Sequence, residues 1–114
     1  MQLPIEIETS DFRLGFDIAG KNGVLKAGSI TDAPGGVRIL FEGMTGEKAF
    51  DIPSILHFIV DASVKIELSL FSAWLFDKVK GRNVKKMKIG RKEITEITAE
   101  KIKKTLEEEI EIDK

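Results

Sequence analysis

The sequence contains no cysteine and no tyrosine, and only one histidine, one tryptophan and three prolines in 114 residues. Without cysteine there is no disulfide framework, no thiolate nucleophile and no Cys-ligated metal, so folding has to rest on packing. An excess of one charge is also missing: 18 Lys and Arg stand against 19 Asp and Glu, for a net charge of −1. The opening MQLPIEIETS shows no basic region followed by an apolar run and a small-residue cleavage site. No secretory signal is therefore expected, and a cytoplasmic location is the default. What remains is 42% hydrophobic and 32% charged, which suits one small soluble domain.

Most of the glycines and two of the three prolines fall in residues 1 to 52, between short apolar stretches. Ile5 and Ile7 alternate with Glu6 and Glu8, and Phe12, Leu14, Phe16 and Ile18 alternate with Arg13, Gly15 and Asp17, the period-two signature of half-buried strands. Asn22-Gly23 suits a tight turn into a strand from Val24 to Ile30, and Ala33-Pro34-Gly35-Gly36 a second connection. Val37, Ile39 and Phe41 begin another strand, which Gly43-Met44-Thr45-Gly46 turns into a short one from Lys48 to Ile52. The first half thus predicts a small antiparallel sheet.

Glycine then vanishes from Pro53 to Lys80, and the run reads as one long apolar helix closed by Gly81, with Asp51 or Ser54 capping its start. Val64, Ile66, Leu68 and Leu70 alternate with Lys65, Glu67 and Ser69, which also allows helix, strand, helix with a break near Asp61-Ala62-Ser63. The absence of Gly and Pro favours the continuous helix. Its charges Asp61, Lys65 and Glu67 argue against a membrane span, since each costs roughly 2.5 to 3.5 kcal/mol at mid-bilayer. Beyond it, Val84 to Ile89 and Lys92 to Ile97 predict a hairpin around Gly90-Arg91. Thr98 caps a helix from Ala99 to about Glu109, with Ile102, Leu106 and Ile110 on one face, and Ile110 and Ile112 offer a last short strand. The expectation is a single α+β domain.

Catalytic signals are thin. His57, Asp61 and Lys65 stand at i, i+4 and i+8, one face of a helix, but no nucleophile has useful spacing, and a solvated stripe is the simpler reading. One His cannot anchor a metal alone, and Glu6, Glu8 and Asp11, or the tail Glu107 to Asp113, lack the alternating oxygen ligands of a tight calcium loop. The glycines at 20, 23, 28, 35 and 36 match no phosphate-binding spacing. No enzyme activity, cofactor or metal is expected.

Charge distribution says more than its total. Residues 1 to 76 carry a net −4, residues 77 to 92 a net +7 and residues 93 to 114 a net −4. Lys78, Lys80, Arg82, Lys85, Lys86, Lys88, Arg91 and Lys92 could meet nucleic acid or an acidic partner. The block holds no aromatic for base stacking, and the plainer role of these cations is to solvate the hairpin and pair with the acidic tail. An all-round apolar helix needs cover on every side, so the leading expectation is an accessory module that assembles with itself or a partner protein through Phe58, Ile59, Trp74 and Phe76. Nucleic-acid binding is the alternative.

From Ala62 onward the order is an apolar helix ending in Ala73-Trp74-Leu75, a basic stretch, Met87-Lys88-Ile89-Gly90-Arg91-Lys92-Glu93-Ile94, and a capped helix from Thr98 to Leu106. This half resembles the effector-associated constant component of bacterial conflict systems. The resemblance implies a non-catalytic domain that accompanies an effector enzyme and assigns no functional residue.

Overall fold

A computed structural model describes residues 2–11, 13–46, 53–61 and 66–112. Its elements are β1 (Gln2–Thr9), α1 (Leu14–Ala19), β2 (Ile30–Ala33), β3 (Val37–Thr45), β4 (Ser54–Asp61), α2 (Leu68–Val79), β5 (Val84–Ile89), β6 (Lys92–Ile94) and α3 (Ala99–Ile112). The six strands form one antiparallel sheet in the order β2-β3-β4-β1-β5-β6. The class is α+β. β1 behaves as its alternation predicts: Leu3, Ile5, Ile7 and Thr9 are buried while Glu6 and Glu8 turn to the other face.

The long helix over 53–80 is not formed. Its first third is β4, where Leu56, Phe58 and Val60 point into the core, and only the twelve residues of α2 are helical. The alternative of a strand over 64–70 fails as well, because Leu68 to Leu70 already belong to α2, while Val64 and Lys65 lie outside the described residues. The reason is that Ile55 and Ile59 on the open face of β4 are as apolar as Leu56, Phe58 and Val60 on its buried face, so the alternation that marks a one-sided strand is lost.

Four smaller expectations also change. Leu14 to Ala19 is a helix, with Leu14 and Ile18 buried one turn apart and Phe16 42% exposed. Asn22 and Gly23 do make their turn, closed by paired hydrogen bonds of 2.9 Å between Lys21 and Val24, but no strand follows from Val24. Gly43 to Thr45 continue β3 past a bulge rather than turning it, and Ile110 ends in α3, not in a strand. The expected strand from Lys48 to Ile52 lies outside the described residues.

The C-terminal half matches closely. β5 and β6 form the hairpin, with β6 shorter than the expected 92–97, and the Thr98 hydroxyl accepts the Lys101 N–H at 3.0 Å as a helix cap. Helices cover one face only. Leu14 and Ile18 of α1, Phe71, Leu75 and Val79 of α2, and Ile102 and Leu106 of α3 share one core with the inward residues of the strands. The result is a two-layer sandwich, helices on one side of the sheet and no described element on the other.

α2 is seated by the β2–β3 turn. The Glu67 N–H donates to the Gly35 carbonyl at 2.9 Å, and Gly35 has φ +91°, a conformation that glycine reaches without strain. A Cβ there would stand 2.6 Å from the Glu67 oxygen. No described helix is long and apolar enough to cross a membrane.

Candidate interaction surface

The pairing register lays the uncovered face out in rows. Asp32, Arg38, Asp61 and Gln2 lie side by side across β2, β3, β4 and β1. The next row is Ile30, Leu40, Ile59 and Pro4. Beyond it come His57, Glu6, Lys88 and Glu93, with β3 bulged so that Gly43 pairs with His57 and Glu42 is the extra residue. An apolar stripe therefore crosses the sheet between two polar rows. Ile30 is 53% exposed at the edge, and Leu40 and Ile59 are half-buried.

His57 takes part in a network that sequence spacing does not reveal. Its Nε2 shares a 2.9 Å hydrogen bond with Thr45 Oγ1, its Nδ1 lies 3.5 Å from Glu6 Oε1, and Glu6 Oε2 lies 3.9 Å from Lys88 Nζ. Hydroxyl, imidazole and carboxylate in that order form the skeleton of a general-base relay. The His57 and Glu6 side chains keep 28% and 33% of their exposure, so water reaches both, and Glu6 divides its charge with Lys88. Cross-strand pinning is the role this geometry supports. The expected ladder with Asp61 and Lys65 does not arise on a helix: His57 and Asp61 share the open face of β4, two rows apart, and Lys65 lies outside the described residues.

The four residues expected to form one helical interface are divided between two elements. Phe58 is 3% exposed, packed in the core with its ring 5.5 Å from that of Phe41, and cannot meet a partner. Ile59, its neighbour on β4, faces the open side. Trp74 and Phe76 are half-buried on α2, with Trp74 stacked on Phe71 at 5.9 Å. Apolar surface is thus divided as well: Ile59 lies on the open sheet face, and on α2 Leu70 is 57% exposed one turn before Trp74.

The basic block is largely occupied by its own chain. Lys80 pairs with Asp77, Lys86 with Glu93, Lys88 with Glu6, and Lys92 with Glu108. Lys78 lies 5.8 Å over the Trp74 ring, whereas Arg91 meets Glu109 through its backbone N–H at 2.7 Å and its side chain is exposed. Lys85 is exposed on β5. Arg82 sits at the other end of the fold, where its Nε donates to Asp11 Oδ2 at 2.5 Å and its other branch reaches Asp17. This fork holds the Asp11 carboxyl below its usual range and raises the guanidinium further. The more exposed lysine pairs contribute roughly 0 to 1 kcal/mol each. They matter more as neutralisation, because the +7 of the linear sequence is offset on the folded surface by Glu6, Asp11, Asp17, Glu93 and Glu108.

Comparison of the chain with protein-family models, curated proteins and solved structures returns no match.

Proposed function

We propose that this protein is a non-enzymatic interaction module that assembles through the open face of its sheet. The observation that carries this reading is the stripe Ile30, Leu40, Ile59 and Pro4, laid across four strands on the side the helices leave uncovered. A non-catalytic accessory role is also what the C-terminal resemblance implies. The basic block is a weaker basis for function, because nucleic acid would have to displace carboxylates already beside the lysines.

Two neighbouring residues of β4 test the reading. Ile59→Lys places a charge on a half-buried open face and is expected to cost about 1 kcal/mol, within the range of strand surface effects. Val60→Lys buries an unpaired charge in the core, where Val60 is 2% exposed, and is expected to cost several kcal/mol. Urea unfolding of both variants compares them. Equal losses would make the stripe part of the folding core and remove it as an interaction surface.

A further inference from the structure

We infer that the open face takes a second copy of this chain, in a two-fold pairing whose axis runs across the strands along the row Ile30, Leu40, Ile59 and Pro4. The inference rests on the proposed reading of that face as an interaction surface and adds the occupant and its orientation.

Charge layout selects the occupant. Closed assemblies of identical chains use self-complementary patches, in which residue i meets j and j meets i. Rotation about the apolar row sets that row against its own copy and exchanges the polar rows on either side. Arg38 then falls on the partner's Glu42, and Glu42 on the partner's Arg38, while Asp61 comes opposite the partner's His57. Arg38 and Glu42 are both exposed, and among the described residues Arg38 pairs, at 3.6 Å, only with Asp32, whose side chain is 90% exposed. An axis along the strands, between β4 and β1, does worse. It would lay Leu40 over the partner's Gly90 turn and leave Ile30 without an apolar neighbour.

Size sets the strength. Four strands about 4.8 Å apart and three rows about 7 Å apart cover roughly 400 Å² per copy. That is about half the usual area of a specific interface, so association is weak, with a dissociation constant on the order of 10 µM to 1 mM. Two such sheets pack at about −30°, the angle that their own twist sets.

Sedimentation equilibrium of the full chain from about 10 µM to about 1 mM reads the mass directly, spanning the range that the contact area implies. The wild type is expected to rise with concentration to about 1.5 to 2 times its monomer mass at the upper end. Arg38→Glu and Glu42→Arg each turn two attractive contacts into repulsive ones and should weaken association about tenfold. An equimolar mixture of the two variants should restore it, because in the mixed pair both contacts again join opposite charges. Circular dichroism confirms that each variant is folded. A wild type that stays monomeric at the highest concentration overturns the inference, as does a mixture no tighter than either variant alone. Either result leaves the Ile59 and Val60 comparison standing, so failure of the occupant is distinguishable from failure of the surface.

Discussion

Arg82→Ala removes the cation that Asp11 and Asp17 share and uncouples three parts of the fold: the end of β1, helix α1 and the turn after α2. Arg82 and Asp11 keep 25% and 24% of their side-chain exposure, so their contact is only partly screened. A charge-assisted bond of that kind contributes roughly 1.5 to 3 kcal/mol. Asp17 is 47% exposed and counts as a surface partner, adding roughly 0 to 1 kcal/mol. The expected loss at neutral pH is therefore about 1.5 to 4 kcal/mol. The Arg82 hydrogen bond is the main cause that lowers the Asp11 pKa, burial opposes it, and the Arg13 N–H at 2.9 Å assists. A depressed folded-state pKa gives stability that is present above the unfolded value of about 3.9 and is lost as pH falls through the folded value. The gap between wild type and Arg82→Ala should thus be full at neutral pH and shrink below about pH 4. Trp74, the sole tryptophan, reports urea unfolding by its fluorescence. A loss under about 0.5 kcal/mol at neutral pH, the size of an ordinary surface substitution, would refute the coupling. So would a gap that persists unchanged in acid.

Two further substitutions probe the packing of α2. Gly35→Ala would set a methyl 2.6 Å from the Glu67 carbonyl oxygen in a positive-φ conformation, and because the neighbour is backbone, a loss of about 3 kcal/mol or more is expected in thermal unfolding. A loss no larger than that of Gly28→Ala, which also has positive φ but no neighbour within 4 Å, would show that the close approach is not the cause. Ser72 is 1% exposed, and its hydroxyl has no hydrogen-bond partner among the described residues. Ser72→Ala should raise stability by about 1 kcal/mol and the melting temperature by about 4 °C. A lowered melting temperature would indicate that the hydroxyl is satisfied.

What could be read beforehand depended on how many faces an element buries. β1 and the β5–β6 hairpin were legible because charged residues on one side mark the alternation, and α3 because Thr98 and the Ile102–Leu106 spacing agree. β4 was not, because Ile55 and Ile59 on its open face are as apolar as Leu56, Phe58 and Val60 on its buried one. That strand therefore merges with α2 into an apparent helix of continuous hydrophobicity, which puts Phe58 on a surface that it does not share. α1 misled in the opposite direction: Leu14, Phe16 and Ile18 alternate like a strand, yet Leu14 and Ile18 also satisfy the helical i, i+4 spacing, and only the exposure of Phe16 separates the two. The Thr45, His57 and Glu6 network and the Arg82 fork join residues 12 to 71 positions apart. Local patterns carry no record of such meetings. A polar residue on each of three alternating strands was the available signal, but it becomes informative only when the strand order is known.

The place of β1 in the sheet has a consequence for how the molecule comes into being. Both of its neighbours, β4 and β5, follow it in the chain by more than forty residues, and neither side of β1 is hydrogen-bonded until they arrive. At synthesis rates of about 5 to 20 residues per second, its exposed backbone waits on the order of seconds for the first partner and longer for the second. During that interval Leu3, Ile5 and Ile7 lie on an unpaired strand, the kind of segment that other chains can bind. Glu6 and Glu8 on its opposite side give that strand charges of one sign, so two nascent copies repel each other before the sheet closes around them.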